Sequence, residues 1–254
     1  MQPLNIRAVQ TDIVWQNASA SLQLLDARIS NAVEGEIVVL PEMFATGFTM
    51  EPETQAQTMD GEIVGWMKKQ SRNRVVCGTV AIAEAGKYHN RFIWCQDGEV
   101  TQHYDKHHLF SHGDEQKHYT AGNAHCLIEY MGWKIKPFIC YDLRFPVWCR
   151  NTDWAHLYLF CANWPTVRIQ AWKQLLIARA IENQCFVLGV NRIGTDGTGI
   201  AHNGQSLLID AKGRELAKVN ENGLDLNESI DSKPLLEYRE LFPVLNDADG
   251  FRFF

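Results

Sequence analysis

Three polar side chains each stand beside an apolar run. Glu42 follows Ile37-Val38-Val39-Leu40-Pro41, Lys106 sits in Tyr104-Asp105-Lys106-His107-His108-Leu109-Phe110, and Cys140 follows Pro137-Phe138-Ile139. A carboxylate, an ammonium and a thiol are a base, a fixed cation and a nucleophile, the parts needed for acyl transfer. A carboxylate just past a buried strand lies where α/β folds open their active-site crevice, and partial removal from water makes it a usable base. From that segment alone, an exposed loop glutamate is the simpler reading, and Lys106 taken singly reads as a solvated basic turn. Cys140 is more specific, because it ends a strand and leads into a tight turn and a helix. A nucleophile at such an elbow is exposed, and neighbouring N–H groups favour its thiolate. The amide of Tyr141 then points towards a developing oxyanion. Asp142 is expected to cap the following helix, and Arg144 to pair with a buried carboxylate. The competing reading is one more structural cysteine, though core cysteines rarely adjoin two charges.

Two other constellations carry less. His103, His107, His108, His112 and His118 surround Glu115, and fourfold spacings within the set are compatible with metal ligands on a helix. Gly113 and the polar neighbours indicate a loop instead, so solvated surface histidines are expected, with no metal and no cofactor. A cysteine peptidase would need a histidine base, and nothing in the pattern selects which of nine histidines would serve Cys140.

The elements that must position these residues alternate along the chain. Strands are predicted at Ile6–Gln10, Glu36–Leu40, Val75–Ile82, Phe92–Cys95, Lys134–Cys140, Leu157–Cys161, Phe186–Asn191 and Ser206–Ile209. Amphipathic periodicity predicts helices over Ser19–Ala32 and Gly61–Arg72, and a longer one from near Pro165 to about Gln184. Asp97-Gly98 and Lys212-Gly213 fit hairpin turns. No linker cuts the chain, so a single domain spanning 1–254 is expected. Residues 225–254 are charge-rich without a clear period. They are expected to form an extended tail whose Phe251, Phe253 and Phe254 pack on the body or on a second subunit.

Composition bounds the partners. With 254 residues, 46% hydrophobic and 21% charged, the chain can bury a sizeable core. A net charge of -6 offers no field for nucleic acid or an anionic membrane. Seven scattered cysteines, an odd number without a close pair, argue for a reducing compartment. No signal segment or spanning run is visible, so a cytoplasmic location is expected.

Taken in order, Leu40-Pro41-Glu42, Asp105-Lys106-His107-His108-Leu109-Phe110 and Cys140-Tyr141-Asp142-Leu143-Arg144-Phe145-Pro146 resemble the nitrilase superfamily of carbon–nitrogen hydrolases, with its Glu–Lys–Cys triad. The resemblance continues through Asn163-Trp164-Pro165, Ala180-Ile181-Glu182-Asn183-Gln184, Asn191-Arg192-Ile193-Gly194 and Gly204-Gln205-Ser206. Each motif is weak alone, and their order is specific. Within the superfamily the chain is similar to bacterial ω-amidases, through Met43-Phe44, Gly47-Phe48, Glu115, His118-Tyr119 and Ala121-Gly122-Asn123, although His108 stands where many members have arginine. The resemblance implies an α–β–β–α sandwich whose subunits commonly form a homodimer. It implies Glu42, Lys106 and Cys140 as the triad, Glu115 as an additional active-site glutamate, and Tyr141 as the oxyanion amide. Phe44, Arg144, Asn163 and Trp164 are candidates for shaping the pocket. The implied activity is hydrolysis of the ω-amide of a small 2-oxo dicarboxylic acid monoamide, such as 2-oxoglutaramate or 2-oxosuccinamate, through a cysteine thioester. The alternatives are an amidase for another small amide, such as a deaminated peptide-like metabolite, and a non-catalytic scaffold on the same fold.

Overall fold

A computed structural model describes residues 1–219, 223 and 225–252. The first half of the chain runs β1 (Leu4–Val9), α1 (Ala18–Ile29), β2 (Ile37–Val39), α2 (Pro52–Gln55), α3 (Glu62–Gln70), β3 (Val75–Glu84), β4 (Lys87–Gln96), β5 (Glu99–Asp105) and the single turn α4 (Glu115–His118). The second half runs β6 (Ile128–Tyr130), β7 (Trp133–Ile139), β8 (Leu157–Ala162), α5 (Ile169–Asn183), β9 (Phe186–Asn191), β10 (Ile193–Thr195), β11 (Ala201–Asn203), β12 (Leu207–Ile209), β13 (Glu215–Lys218), β14 (Asp225–Ile230) and α6 (Lys233–Leu241).

Among the described residues these strands form two six-stranded sheets, ordered β14-β1-β2-β3-β4-β5 and β13-β12-β9-β8-β7-β6, and β10 and β11 pair as a separate antiparallel hairpin. Pairing is parallel through β1-β2-β3 and through β7-β8-β9, and antiparallel towards the edges of both sheets. Both sheets therefore share one pattern of strand directions, although no repeat is visible in the residues.

The alternation of side chains along each strand divides the core. Ile37 and Val39 of β2 face the second sheet and join Leu4, Ile6, Trp94, Phe138, Leu157 and Phe160 in the central layer. Val38 and Leu40 point the other way, onto Leu22, Leu25 and Ile29 of α1 and Ile63, Val64 and Met67 of α3. On the far side, Trp172, Leu176 and Ala180 of α5 cover the second sheet. The layers are thus α–β–β–α, the sandwich expected from the resemblance.

Several boundaries differ from the pattern reading. The long helix begins later than Pro165: Thr166–Arg168 form a 3-10 turn, and α5 starts at Ile169. The strand β5, Glu-Val-Thr-Gln-His-Tyr-Asp, escapes the hydrophobic pattern because it lies at a sheet edge with mostly exposed residues. Asp97 and Gly98 do turn β4 into β5, both at positive φ, as such a two-residue connection requires. The expected extended tail is corrected: residues 225–230 pair antiparallel with β1, and 233–241 are helical. Only Leu226 and Ile230 of the strand and Leu235 of the helix are buried apolar residues, too few to mark a period. Phe251 is 39% exposed, and Phe253 and Phe254 lie outside the described residues.

Gly189 on β9 shows how closely α5 approaches. A Cβ there would stand 2.5 Å from Leu176 Cδ1 and 2.7 Å from Trp172 Cζ2. Gly189→Ala is therefore expected to destabilise the fold by roughly 1–3 kcal/mol through overpacking, read as a lower urea midpoint at unchanged slope.

Candidate active site

Glu42 leaves β2 after Leu40, whose N–H still bonds the Cys77 carbonyl at 2.8 Å. Met43 then turns the chain at φ +43°, and its N–H donates to Thr79 Oγ1 at 2.8 Å. Thr79 in turn donates to Asn90 Oδ1 at 2.8 Å. The Asn90 amide nitrogen donates both to Glu42 Oε1 (2.8 Å) and to Glu115 Oε1 (3.1 Å). Lys106, just past β5, is held by its own N–H on the Asn90 carbonyl at 2.9 Å. Its Nζ donates to Glu42 Oε1 at 2.8 Å and to Glu115 Oε2 at 2.9 Å. Phe110 N–H adds a 2.6 Å bond to Glu115 Oε2. Glu42 and Glu115 are fully buried and Lys106 is 1% exposed, so each charge depends on these partners.

Cys140, the candidate nucleophile, comes from the other sheet. Cys140 ends β7 at φ +42°, in the left-handed region that costs a non-glycine residue about 1 kcal/mol or more and persists only where the surroundings enforce it. Asp142 does the enforcing. Its carboxylate accepts from Ile139 N–H (3.1 Å), Tyr104 O–H (2.7 Å), and His108 N–H and Nδ1 (2.9 Å each). The expected helix after Cys140 is a 3-10 turn, Cys140–Arg144, and Asp142 holds that turn from within while tying it to the loop that carries Lys106. Six of the seven cysteines are buried and Cys140 is half-buried.

The electrostatics follow from burial. Burial works to lower the Lys106 pKa, but Glu115, Glu42 and Cys140 outweigh it and hold the ammonium above its ordinary range. Burial, and then Glu42, push Glu115 upward against the pull of Lys106. Burial and Glu42 also push the Cys140 thiol well above its usual value, with Lys106 opposing and a hydrogen bond to Glu42 adding to the rise. At rest the sulfur is a thiol next to a carboxylate, which suits proton transfer during attack rather than a standing thiolate.

Glu42, Lys106 and Cys140 open into a cavity of about 230 Å³, walled on its apolar side by Phe48, Met50, Phe110 and Trp164. Asn163 and Trp164 line it as expected. Asn163 N–H bonds Glu42 Oε2 at 2.9 Å, and its side chain donates to the Glu42 carbonyl. Tyr141 and Arg144 also line it. Arg144 is corrected in one respect: its guanidinium lies over the Trp164 ring at 5.0 Å, and it has no carboxylate partner among the described ion pairs. Phe44 is corrected outright. It is fully buried and packs on Trp66 at 5.9 Å, on the helix side of the first sheet; Phe48, with Lys106 Nζ 5.0 Å above its ring, takes the pocket wall. Glu115 sits behind Lys106 rather than on the cavity surface.

Sequence reasoning missed Thr79, Asn90, Arg168 and the loop Asp196–His202. The one sequence signal for Asn90 is a polar residue opening the apolar run Phe92–Cys95. The histidines expected on the surface divide: His103 and His112 are exposed, whereas His107 stacks on Trp148 at 3.6 Å and His108 on Phe145 at 3.7 Å. Among the described residues, no three His, Cys, Asp or Glu side chains gather to hold a metal ion.

The carbon–nitrogen hydrolase family profile matches residues 5–229. The chain belongs to the carbon–nitrogen hydrolase family. It is 41% identical to Omega-amidase YafV of Escherichia coli (strain K12), covering 99% of both chains. It is 34% identical to 2-oxoglutaramate amidase of Bacillus subtilis (strain 168), over 95% of this chain and 96% of that one. Among solved structures, XC1258 from Xanthomonas campestris, a CN-hydrolase superfamily protein carrying an arsenic adduct in its active site, superposes with a TM-score of 0.96 at 37% identity and covers 100% of both chains. Family membership accounts for the two-sheet sandwich, and the geometry above states how this chain builds its own cavity.

Glu42→Gln separates two parts that a carboxylate can play here. Removing the charge removes a cause that raises the Cys140 pKa, so alkylation of Cys140 by iodoacetamide at pH 8 is expected to persist or quicken. Amide turnover should fall at least about 100-fold for want of a proton acceptor. Parallel loss of both would mean that Glu42 acts on sulfur ionisation alone.

Proposed function

We propose that this carbon–nitrogen hydrolase cleaves the ω-amide of small 2-oxo dicarboxylic acid monoamides, 2-oxoglutaramate foremost, releasing ammonia and a dicarboxylic acid. The observation that carries the reading is a Glu42 carboxylate bonded to Lys106 Nζ at 2.8 Å beside the Cys140 thiol, in a cavity that also holds the guanidinium groups of Arg144 and Arg168. The names borne by the Escherichia coli and Bacillus subtilis relatives support the same substrate class.

In this mechanism Glu42 takes the thiol proton as the Cys140 sulfur attacks the amide carbon. Negative charge moves to the carbonyl oxygen, where the Lys106 ammonium and the Tyr141 N–H receive it. A preorganised donor of this kind contributes roughly 3 kcal/mol. Glu42 returns its proton to the departing nitrogen as the C–N bond breaks, leaving a thioester and ammonia. Glu42 then deprotonates a water molecule that attacks the thioester, and the acid leaves as sulfur regains its proton. Glu115 holds Lys106 from behind and, through Asn90, keeps the two carboxylates in register. Arg144 is the candidate we take for the distal carboxylate: its guanidinium lies over Trp164, it has no carboxylate partner among the described ion pairs, and its edge can make paired hydrogen bonds.

Two statements about setting belong to the same reading. All seven cysteines are unbonded, which fits a reducing, cytoplasmic environment; no described helix is long and apolar enough to cross a membrane. Trp154, Leu241 and Phe242 are 45%, 85% and 56% exposed, apolar side chains that pairing of two copies as a homodimer would cover.

Ammonia release from 2-oxoglutaramate and succinamate tests the proposal. Wild type should turn over, and Cys140→Ala should be inactive. Arg144→Met should raise KM for these anions by about 10- to 100-fold, the worth of a charge-assisted hydrogen bond, with little change for a neutral amide. Equal losses on charged and neutral amides would remove Arg144 from carboxylate binding.

A further inference from the structure

His202 sits on β11 in the wall of the catalytic cavity. Its residue is only 6% exposed, and Nδ1 is buried with no hydrogen-bond partner. Buried polar atoms in native proteins are nearly always paired, so an unpaired one in a cavity wall points to a group supplied by a ligand. The ring is held in place by its hairpin. Asp196 Oδ1 accepts from Thr198 N–H (2.9 Å), Thr198 Oγ1 (2.7 Å) and Ile200 N–H (3.0 Å). Beyond the strand, Gly204 N–H bonds the Arg192 carbonyl at 3.1 Å, and Arg192 is anchored on Asp12 at 3.0 Å.

The imidazole is uncharged at neutral pH. Burial first, and then Arg192, bring its pKa down to about 4, against smaller contributions from Asp196, the Ile200 carbonyl and Glu42. A neutral ring offers one N–H and one lone pair; at rest the N–H leans on the Ile200 carbonyl, and an uncharged ligand oxygen that competes for it suits it better than a carboxylate does.

A 2-oxo ω-amide acid has three polar groups, and the cavity has three polar zones. Glu42, Lys106 and Cys140 take the amide, and the arginines suit the carboxylate. The ketone oxygen needs a neutral donor. Asn163 Oδ1 is also buried and unpaired, but it is an acceptor and suits an amide N–H. Asp196 Oδ1 and Thr198 Oγ1 are engaged with each other.

We propose that His202 is a specificity residue that donates a ring N–H to the 2-oxo oxygen of the substrate and so selects 2-oxo acids over their simple carboxylic counterparts. This rests on the substrate class proposed above and names the residue that reads its ketone.

The test compares 2-oxoglutaramate with the monoamide of glutaric acid, which has the same chain without the ketone. His202→Phe keeps a ring and removes the donor. It should raise KM for 2-oxoglutaramate about tenfold or more while moving the glutaric monoamide by less than about twofold, the loss expected for one hydrogen bond. His202→Gln, which restores an N–H, should recover part of the preference. The alkylation rate of Cys140 should stay at the wild-type level in both variants. An equal change on both substrates, or no change on either, would overturn the assignment while the substrate class stood. A wild type inactive on 2-oxoglutaramate would overturn the substrate class and this assignment with it. Should His202→Phe fail to fold, the same KM ratio measured on His202→Ala decides in the same terms.

Discussion

The buried ammonium of Lys106 organises this site. Lys106 is surrounded by protein, and its positive charge is shared between Glu42 and Glu115. Taking three charges out of water is costly, and removing one member of a buried pair typically costs about 3–5 kcal/mol. Such an arrangement persists only where every oxygen and proton finds a partner. Here the partners come from far along the chain: Asn90 from β4, Phe110 from the loop before α4, and Asn163 from the end of β8. The cluster is therefore possible only once both sheets have formed and packed. Its members are useful for chemistry because the same burial that makes them costly also keeps them fixed.

The sandwich delivers those partners by a simple geometric rule. Glu42, Cys140 and Asn163 each follow the C-terminal end of a strand in the parallel part of a sheet: β2, β7 and β8. Parallel strands put their carboxyl ends together, and the two sheets bring those ends face to face. Glu42 and Cys140 thus come from different sheets, and the shared central layer sets their separation. Asp142 adds a second tie, because it bonds both the elbow at Cys140 and the loop Tyr104–His108. A shift of one sheet against the other would break that tie before it misaligned the sulfur, so the packing of the core and the alignment of the site are one constraint.

What was legible in the sequence follows from how local each feature is. A reactive residue at the end of an apolar run is a local signal, and it singles out Cys140; Glu42 and Lys106 read locally as solvated side chains, and only the ordered set of motifs makes them candidates. The central strands and the three longer helices were legible for the same reason. Partners chosen by register were not. Asn90 pairs across β3 with Ala81, and its meeting with Thr79, Glu42 and Glu115 depends on three separate elements. Phe44 and Phe48 look interchangeable in sequence. The turn between them decides which enters the cavity, with Met43 at φ +43° and Gly47 at φ +78°. A Cβ on Gly47 would stand 2.8 Å from the Trp15 ring, so contact with a distant tryptophan as well as backbone conformation demands glycine there.

The charge balance of the cavity explains why so reactive a site can remain selective. Glu42, Lys106 and Glu115 together carry one formal negative charge if both carboxylates are ionised, a poor welcome for an anionic substrate. Burial and Glu42 raise the Glu115 pKa, and Lys106 opposes the rise. Arg144 and Arg168 supply the opposite sign at the cavity wall. On the proposed reading, a substrate carboxylate settles beside the arginines and not beside Glu42, since charge pairs in a partly desolvated cleft interact far more strongly than in bulk water. The amide end of the molecule is then presented to Cys140 by exclusion. An acid with its amide at the wrong distance would have to leave one of the two ends unpaired, so reach along the cavity, rather than affinity for either end, sets which amides react.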